Sequence, residues 1–286
     1  MILILLISNY SYAAESKIAH RNKILVKEAT KFSKQLWSLT LQLSQNKAEN
    51  IPVLLYHHVL PQKEMDEYKW NNNGSVISLE NFQEQMEYLK KNNYYTATLE
   101  ELELYIDGKL DLPKNTIVIT FDDGYLSNVV YAYPIMKEHG FKGSIFLVGK
   151  SSLVEVEDFS PGDLQHIPIT EMHKYEDVFQ FACHTFDLHL KDKEKGLPLL
   201  EIAPKELIIE DLTRNLELIN TKHIAYPFGG YNSNTIEYLQ ELGYTLGFTV
   251  KHGYVSKGSS KYELPRIIIK PTTDKLKFIE LIEAGK

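Results

Sequence analysis

Thr116-Ile117-Val118-Ile119-Thr120-Phe121-Asp122-Asp123-Gly124 is the stretch on which the fold turns. Its first six residues are β-branched or aromatic and uncharged, the composition of a strand buried on both faces in a parallel sheet. Two adjacent carboxylates and a glycine come next, so the strand must end there. Asp-Asp-Gly is also ordinary turn chemistry, and taken alone the pair says nothing more.

Runs of the same character recur along the chain, at Pro52–Tyr56, Ser144–Val148, Val178–Cys183, His223–Tyr226, Thr245–Val250 and Pro265–Ile269. Amphipathic helices are expected between them, and their boundaries can be read. Ser78 caps a helix carrying Phe82, Met86 and Leu89, Thr98-Leu99-Glu100-Glu101 forms a capping box closed by Gly108, and Gly140 and Gly243 stand at helix C-caps. Strands alternating with helices predict an α/β fold, a deformed and incomplete (β/α) barrel of about seven strands. A doubly wound sheet would carry a glycine-rich first turn, and none is present.

The rest of the chain bounds the function. With 286 residues, 43% hydrophobic and 24% charged, it can bury a sizeable core and has no disordered or fibrous character. A formal charge of -7 leaves no basic field for phosphates, so nucleic acid is not expected as a partner. The 18 tyrosines offer apolar faces and hydroxyls to sugars, although half-buried surface tyrosines are the simpler account of most of them. Residues 1–16, an apolar run followed by Tyr10-Ser11-Tyr12-Ala13-Ala14, read as a signal peptide, which implies export; the missing basic n-region fits a truncated start, or else the run is an apolar N-terminal strand. Residues 17–50 read as an N-terminal helical segment, and residues 51–286 as the main domain. The one cysteine, Cys183, cannot form an intramolecular disulfide and reads as a small core residue.

The partners of Asp122 and Asp123 are sought in Phe181-Ala182-Cys183-His184-Thr185-Phe186-Asp187-Leu188-His189, which again follows an apolar strand. His184 and His189 are five apart and do not share a helix face, so they must converge through a loop. Two imidazoles and one carboxylate at strand ends match the ligand set of a catalytic divalent metal site, zinc first among the candidates. His20, His139, His166, His173, His223 and His252 have no such setting and are expected at the surface or in caps.

These two motifs resemble those of the polysaccharide deacetylases, the NodB-homology domains of carbohydrate esterase family four. Tyr56-His57-His58-Val59, Ala225-Tyr226-Pro227-Phe228-Gly229 and Leu264-Pro265-Arg266-Ile267 are similar to one branch, the PgaB-like and IcaB-like poly-β-1,6-N-acetylglucosamine deacetylases of biofilm matrices. The resemblance covers roughly residues 51–270. It implies that Asp123, His184 and His189 hold the metal and that Asp122 is the general base, since a carboxylate bound to a cation is not also free to take a proton. It further implies an oxyanion donor at the Phe228 N–H. The family's usual acid, a histidine near the C-terminus, is missing, because no histidine follows Arg266. In the branch named, the motif order is circularly shifted and the histidine of the first strand takes this role, which His57 matches; His58 should face the other side of the strand. The usual arginine of the third motif is also absent, Ala225 standing in its place, and Arg266 is its substitute for orienting Asp122.

The expected activity is thus removal of acetyl groups from β-linked N-acetylglucosamine in an acetylated polysaccharide outside the cell, at or near the cell surface or membrane. Deacetylation of chitin oligosaccharides or peptidoglycan, O-acetyl esterase activity on xylan, and carbohydrate binding without turnover are the alternatives. Placement of His57 far from Asp123 would favour the last.

Overall fold

The apolar run that ends in the paired carboxylates forms a six-residue strand, Thr116–Phe121, with every side chain buried. The computed structural model describes residues 46–285 and the isolated helical positions Lys27, Thr30, Lys31 and Ser33. The signal peptide expected over residues 1–16 lies outside the described residues, as does most of the segment 17–50. Residues Ala48–Lys286 make up one compact unit, which contains the sheet and all the candidate site residues.

Seven parallel strands form its sheet: β1 (Val53–Tyr56), β2 (Thr116–Phe121), β3 (Gly143–Leu147), β4 (Phe179–Cys183), β5 (His223–Ala225), β6 (Leu246–Phe248) and β7 (Ile267–Ile268). Their spatial order is β6-β5-β4-β3-β2-β1-β7, with a short strand, Tyr95–Thr96, added beside the start of β2. The registers run evenly, for example Leu54 against Ile119 and Ile145 against Phe181. The sheet curls strongly. At its two edges, Phe248 at the end of β6 forms a parallel bridge with Leu264, and the Arg266 N–H donates to the Lys251 carbonyl at 2.9 Å. These contacts explain why only Ile267–Ile268 of the expected last strand pairs with β1: the residues before it serve the other edge.

The strands are buried on both faces, and their alternation sorts side chains into two layers. Leu54, Tyr56, Ile117, Ile119, Phe121 and Ile145 pack outward against the helices α1 (Leu79–Lys91), α2 (Tyr133–His139) and α3 (Lys275–Glu283) through Phe82, Met86, Leu89, Met136, Phe278 and Ile282. Val53, Val118, Phe146, Ala182, Ala225 and Phe248 meet one another inside the barrel. The same alternation, continued past each strand end, aims Asp122 and His57 at the barrel mouth and His58 away from it.

The helix boundaries follow their capping residues. The Ser78 hydroxyl accepts the Asn81 N–H at 3.2 Å, and Thr98 with Glu101 closes a reciprocal capping box. The apolar stripe of α1 buries Phe82 against Tyr56 and Phe121, with ring centroids 5.4 and 6.0 Å away, so this helix braces the two strands that carry His57 and Asp122. Phe82→Ala is therefore expected to cost about 3–5 kcal/mol, read as a lower urea midpoint with an unchanged slope.

Candidate metal centre and active site

Strand β2 leaves the barrel through two consecutive residues of left-handed backbone, Asp123 at φ 70° and Gly124 at φ 73°. A Cβ at Gly124 would also come within 2.4 Å of the Leu147 side chain, so glycine is required there on both counts. This sharp reversal sends the two adjacent carboxylates to different partners. Segment 165–167 straps the turn in place: the Ile167 N–H donates to the Gly124 carbonyl at 2.9 Å, and His166 Nδ1 donates to the Asp123 carbonyl at 2.9 Å.

Asp123 faces both histidines of the second motif. Its Oδ1 lies 3.3 Å from His184 Nε2 and 3.1 Å from His189 Nε2, and one donor atom from each of the three residues falls within 4.8 Å of the others. His184 Nδ1 donates to the Ala225 carbonyl at 2.8 Å, which fixes the ring orientation and turns Nε2 toward Asp123. Burial raises the Asp123 pKa, but hydrogen bonds from the two imidazoles outweigh it and hold the carboxyl well below the usual range. Two imidazole nitrogens and an ionised carboxylate oxygen, two of the residues buried and His189 half-buried, suit a divalent metal with open coordination positions. The residues present therefore fit the metal that the motifs imply.

Asp122 faces Arg266. The pair is bidentate, with Nη1 to Oδ1 and Nη2 to Oδ2 each at 2.7 Å, and the arginine is fully buried. The guanidinium is itself fixed, donating from Nε to the Thr249 carbonyl at 2.9 Å and from Nη1 to the Thr120 hydroxyl at 3.3 Å. Burial raises the Asp122 pKa; the charges of Arg266 and His184 and the forked hydrogen bond more than reverse this, leaving the carboxyl ionised below its ordinary value.

His57, at the end of β1, lies among these groups. Burial lowers its pKa, Asp123 and Asp122 oppose that, and Arg266 and His184 add to it. Its neighbour His58 points to the other side, where Nδ1 sits 2.5 Å from the Ser127 hydroxyl and the ring packs on Trp70 and Tyr125. Burial pushes His58 down to about 4.

Phe228 stands in the turn Pro227–Gly229 after β5, at φ 57°. The N–H groups of Gly229 and Gly230 fold back onto the Tyr226 and Pro227 carbonyls, whereas the Phe228 N–H has no protein acceptor among the described residues. Its ring packs on His189 with centroids 4.6 Å apart. Six of the seven candidate residues thus follow the C-terminal ends of strands, where such folds place their chemistry, and Arg266, just before β7, reaches Asp122 with its side chain.

Two histidine environments differ from those expected from the sequence. His166, expected at the surface or in a cap, is half-buried against the site through the strap just described, and His223, expected likewise, is buried at the start of β5 beside Glu103, Nε2 to Oε2 at 3.6 Å. Neither has a local pattern that separates it from a surface histidine. Tyr125 has no sequence signal either; burial, with the Asp123 carboxylate nearby, raises the pKa of its hydroxyl and keeps it protonated.

The resemblance to known proteins extends over most of this unit. Residues 109–247 match the polysaccharide deacetylase family. The putative polysaccharide deacetylase YxkH of Bacillus subtilis is 26% identical over 262 residues, covering 91% of this chain and 86% of that one. The poly-β-1,6-N-acetyl-D-glucosamine N-deacetylase of Staphylococcus aureus is 30% identical over 205 residues, covering 68% of this chain and 67% of the relative. The structure of IcaB from Ammonifex degensii superposes with a TM-score of 0.66 at 26% identity, covering 79% of this chain and 94% of that one. With its fold and the geometry of both motifs in agreement, this chain belongs to the polysaccharide deacetylase family.

Proposed function

We propose that this polysaccharide deacetylase removes N-acetyl groups from N-acetylglucosamine residues, that its substrate is extracellular poly-β-1,6-N-acetylglucosamine, and that its metal is zinc. The observation that carries the hydrolytic reading is the division of labour between adjacent carboxylates. Asp123 faces two imidazoles, and Asp122 is ionised in the grip of a buried arginine. The choice of polymer is supported by the resemblance to the Staphylococcus aureus relative, whose name states that substrate. His57 faces the same carboxylates, a placement that carbohydrate binding without turnover does not require.

A divalent cation held by Asp123, His184 and His189 supplies Lewis acidity, polarising the acetyl carbonyl and acidifying the attacking water. Asp122 takes the proton from that water, and Arg266 keeps its carboxylate ionised and aimed. The Phe228 N–H, left without a protein acceptor, donates to the oxyanion that forms as the carbonyl carbon becomes tetrahedral. An amine leaves only when protonated, and His57, which lies among the same carboxylates, delivers that proton.

Acetate release from poly-β-1,6-N-acetylglucosamine, chitin oligosaccharides, peptidoglycan and acetylated xylan, each with and without chelator, tests the substrate and the metal together. Release should be greatest from the first and abolished by chelation; preference for another polymer would overturn the substrate, and full activity of metal-stripped protein would overturn the metal. In the same assay Asp122→Asn should bind metal normally but turn over about 10²–10⁴ times more slowly. His57→Ala should lose far more activity on an amide than on an activated ester, whose leaving group needs no proton; equal losses would assign His57 to positioning instead. Arg266→Gln bears on pH. A base works only when deprotonated, so the lowered Asp122 pKa keeps the native enzyme active to low pH. Without the guanidinium, burial is opposed by less positive charge, the Asp122 pKa rises, and the acid limb of kcat/KM should move to higher pH. An unshifted limb would show that Arg266 does not govern the base.

A further inference from the structure

The loop between the two histidines, Thr185-Phe186-Asp187-Leu188, has to turn back within four residues to bring His189 beside His184, and it begins with Thr185 in left-handed backbone at φ 67°. Nothing in the loop's own sequence dictates that turn. On one side its backbone is held by the helix Lys205–Ile219. The buried Asp211 carboxylate accepts three consecutive N–H groups: Phe186 at 2.8 Å through Oδ1, and Asp187 at 2.6 Å and Leu188 at 2.9 Å through Oδ2. One turn further along, the Asn215 amide donates to Cys183 Sγ at 3.0 Å, immediately before His184, and the Arg214 guanidinium lies 3.9 Å over the Phe186 ring. From the opposite side, the N–H groups of Gly149 and Lys150 donate to the Thr185 and Phe186 carbonyls at 3.0 and 2.8 Å.

We infer that Asp211 is a positioning residue for the metal centre: by gathering three successive N–H groups of the ligand loop onto one carboxylate, it sets the turn that returns His189 to His184 and Asp123. The inference rests on the metal-dependent reading of the site. Asp211 acts through the backbone between two ligands rather than through their side chains. A buried carboxyl group that accepts three N–H donors through both oxygens gives directional bonds, and an amide in its place can offer only one oxygen and turns its own N–H₂ against the donors. With the loop ordered before metal arrives, binding does not have to supply the ordering free energy. Without Asp211 that cost falls on binding, so affinity drops.

The test uses the full chain, stripped of metal and titrated with zinc in competition with a chromophoric chelator, as wild type and as Asp211→Asn. Affinity should fall about 10–100-fold in the variant, the usual effect of losing a group that orients a ligand. Acetate release should return toward wild type at saturating zinc, and the visible spectrum of the cobalt-loaded variant should differ from that of the wild type. Asp211→Glu, which restores the carboxyl group, should recover part of the affinity. A structural role alone would lower the melting temperature of the metal-free protein and leave zinc affinity per folded molecule unchanged, and that result would overturn the inference. Should Asp211→Asn fail to fold, Asp211→Ser, whose hydroxyl accepts one N–H, carries the same measurement with the same deciding outcomes. Failure of the wild-type chain to bind any divalent metal would overturn the metal centre and with it the role of Asp211; equally tight binding by both chains overturns the role of Asp211 alone.

Discussion

Two carboxylates buried side by side at the end of one strand cannot both stay ionised unless each has a cationic partner of its own, and the site is arranged around that requirement. Asp122 is met by Arg266 in a forked pair, and Asp123 by two imidazoles in the place of a cation. The pair spans β1, since the arginine immediately precedes β7, Asp122 follows β2, and β1 lies between those two strands in the sheet. Loss of one member of such a buried pair typically costs about 3–5 kcal/mol, because the remaining charge has no water to turn to. The pair thus keeps Asp122 ionised, while the same arginine, through Nε to the Thr249 carbonyl and its N–H to the Lys251 carbonyl, ties the two edges of the sheet together.

Around these charges the backbone is bent where chemistry requires it. Asp123, Gly124, Thr185 and Phe228 all have positive φ, and all lie at or just beyond the C-terminal ends of strands. Non-glycine residues hold this conformation only where the surrounding structure compels it. Here the compulsion comes from hydrogen bonds: segment 165–167 onto the first motif, Asp211 onto the second, and the turn Pro227–Gly229 onto its own carbonyls. The first two motifs are thus short in sequence, while their geometry is set by segments distant in sequence.

Positions of the strands and many of the functional residue types were legible because they rest on local rules. Uninterrupted β-branched runs marked β2 at its observed bounds, and a two-residue period placed His57 and His58 on opposite sides of β1. Capping residues marked helix starts at Ser78 and Thr98. Strand ends were less legible where tertiary bonds intervene, as at β7, which is shortened because Leu264 and Arg266 bond to the opposite edge of the sheet.

The sequence by itself therefore determined the alternation of strands and helices and the placement of paired carboxylates and histidines at strand ends, since each depends on neighbours a few residues away. Only the tertiary structure decided that Arg266 grips Asp122 with both nitrogens, that His166 and Tyr125 close on Asp123, and that Asp211 holds the turn between His184 and His189. Apart from that of Tyr125, these pairings join residues 23 to 144 positions apart, and no local periodicity records which distant carbonyl or carboxylate a side chain meets once the sheet has curled.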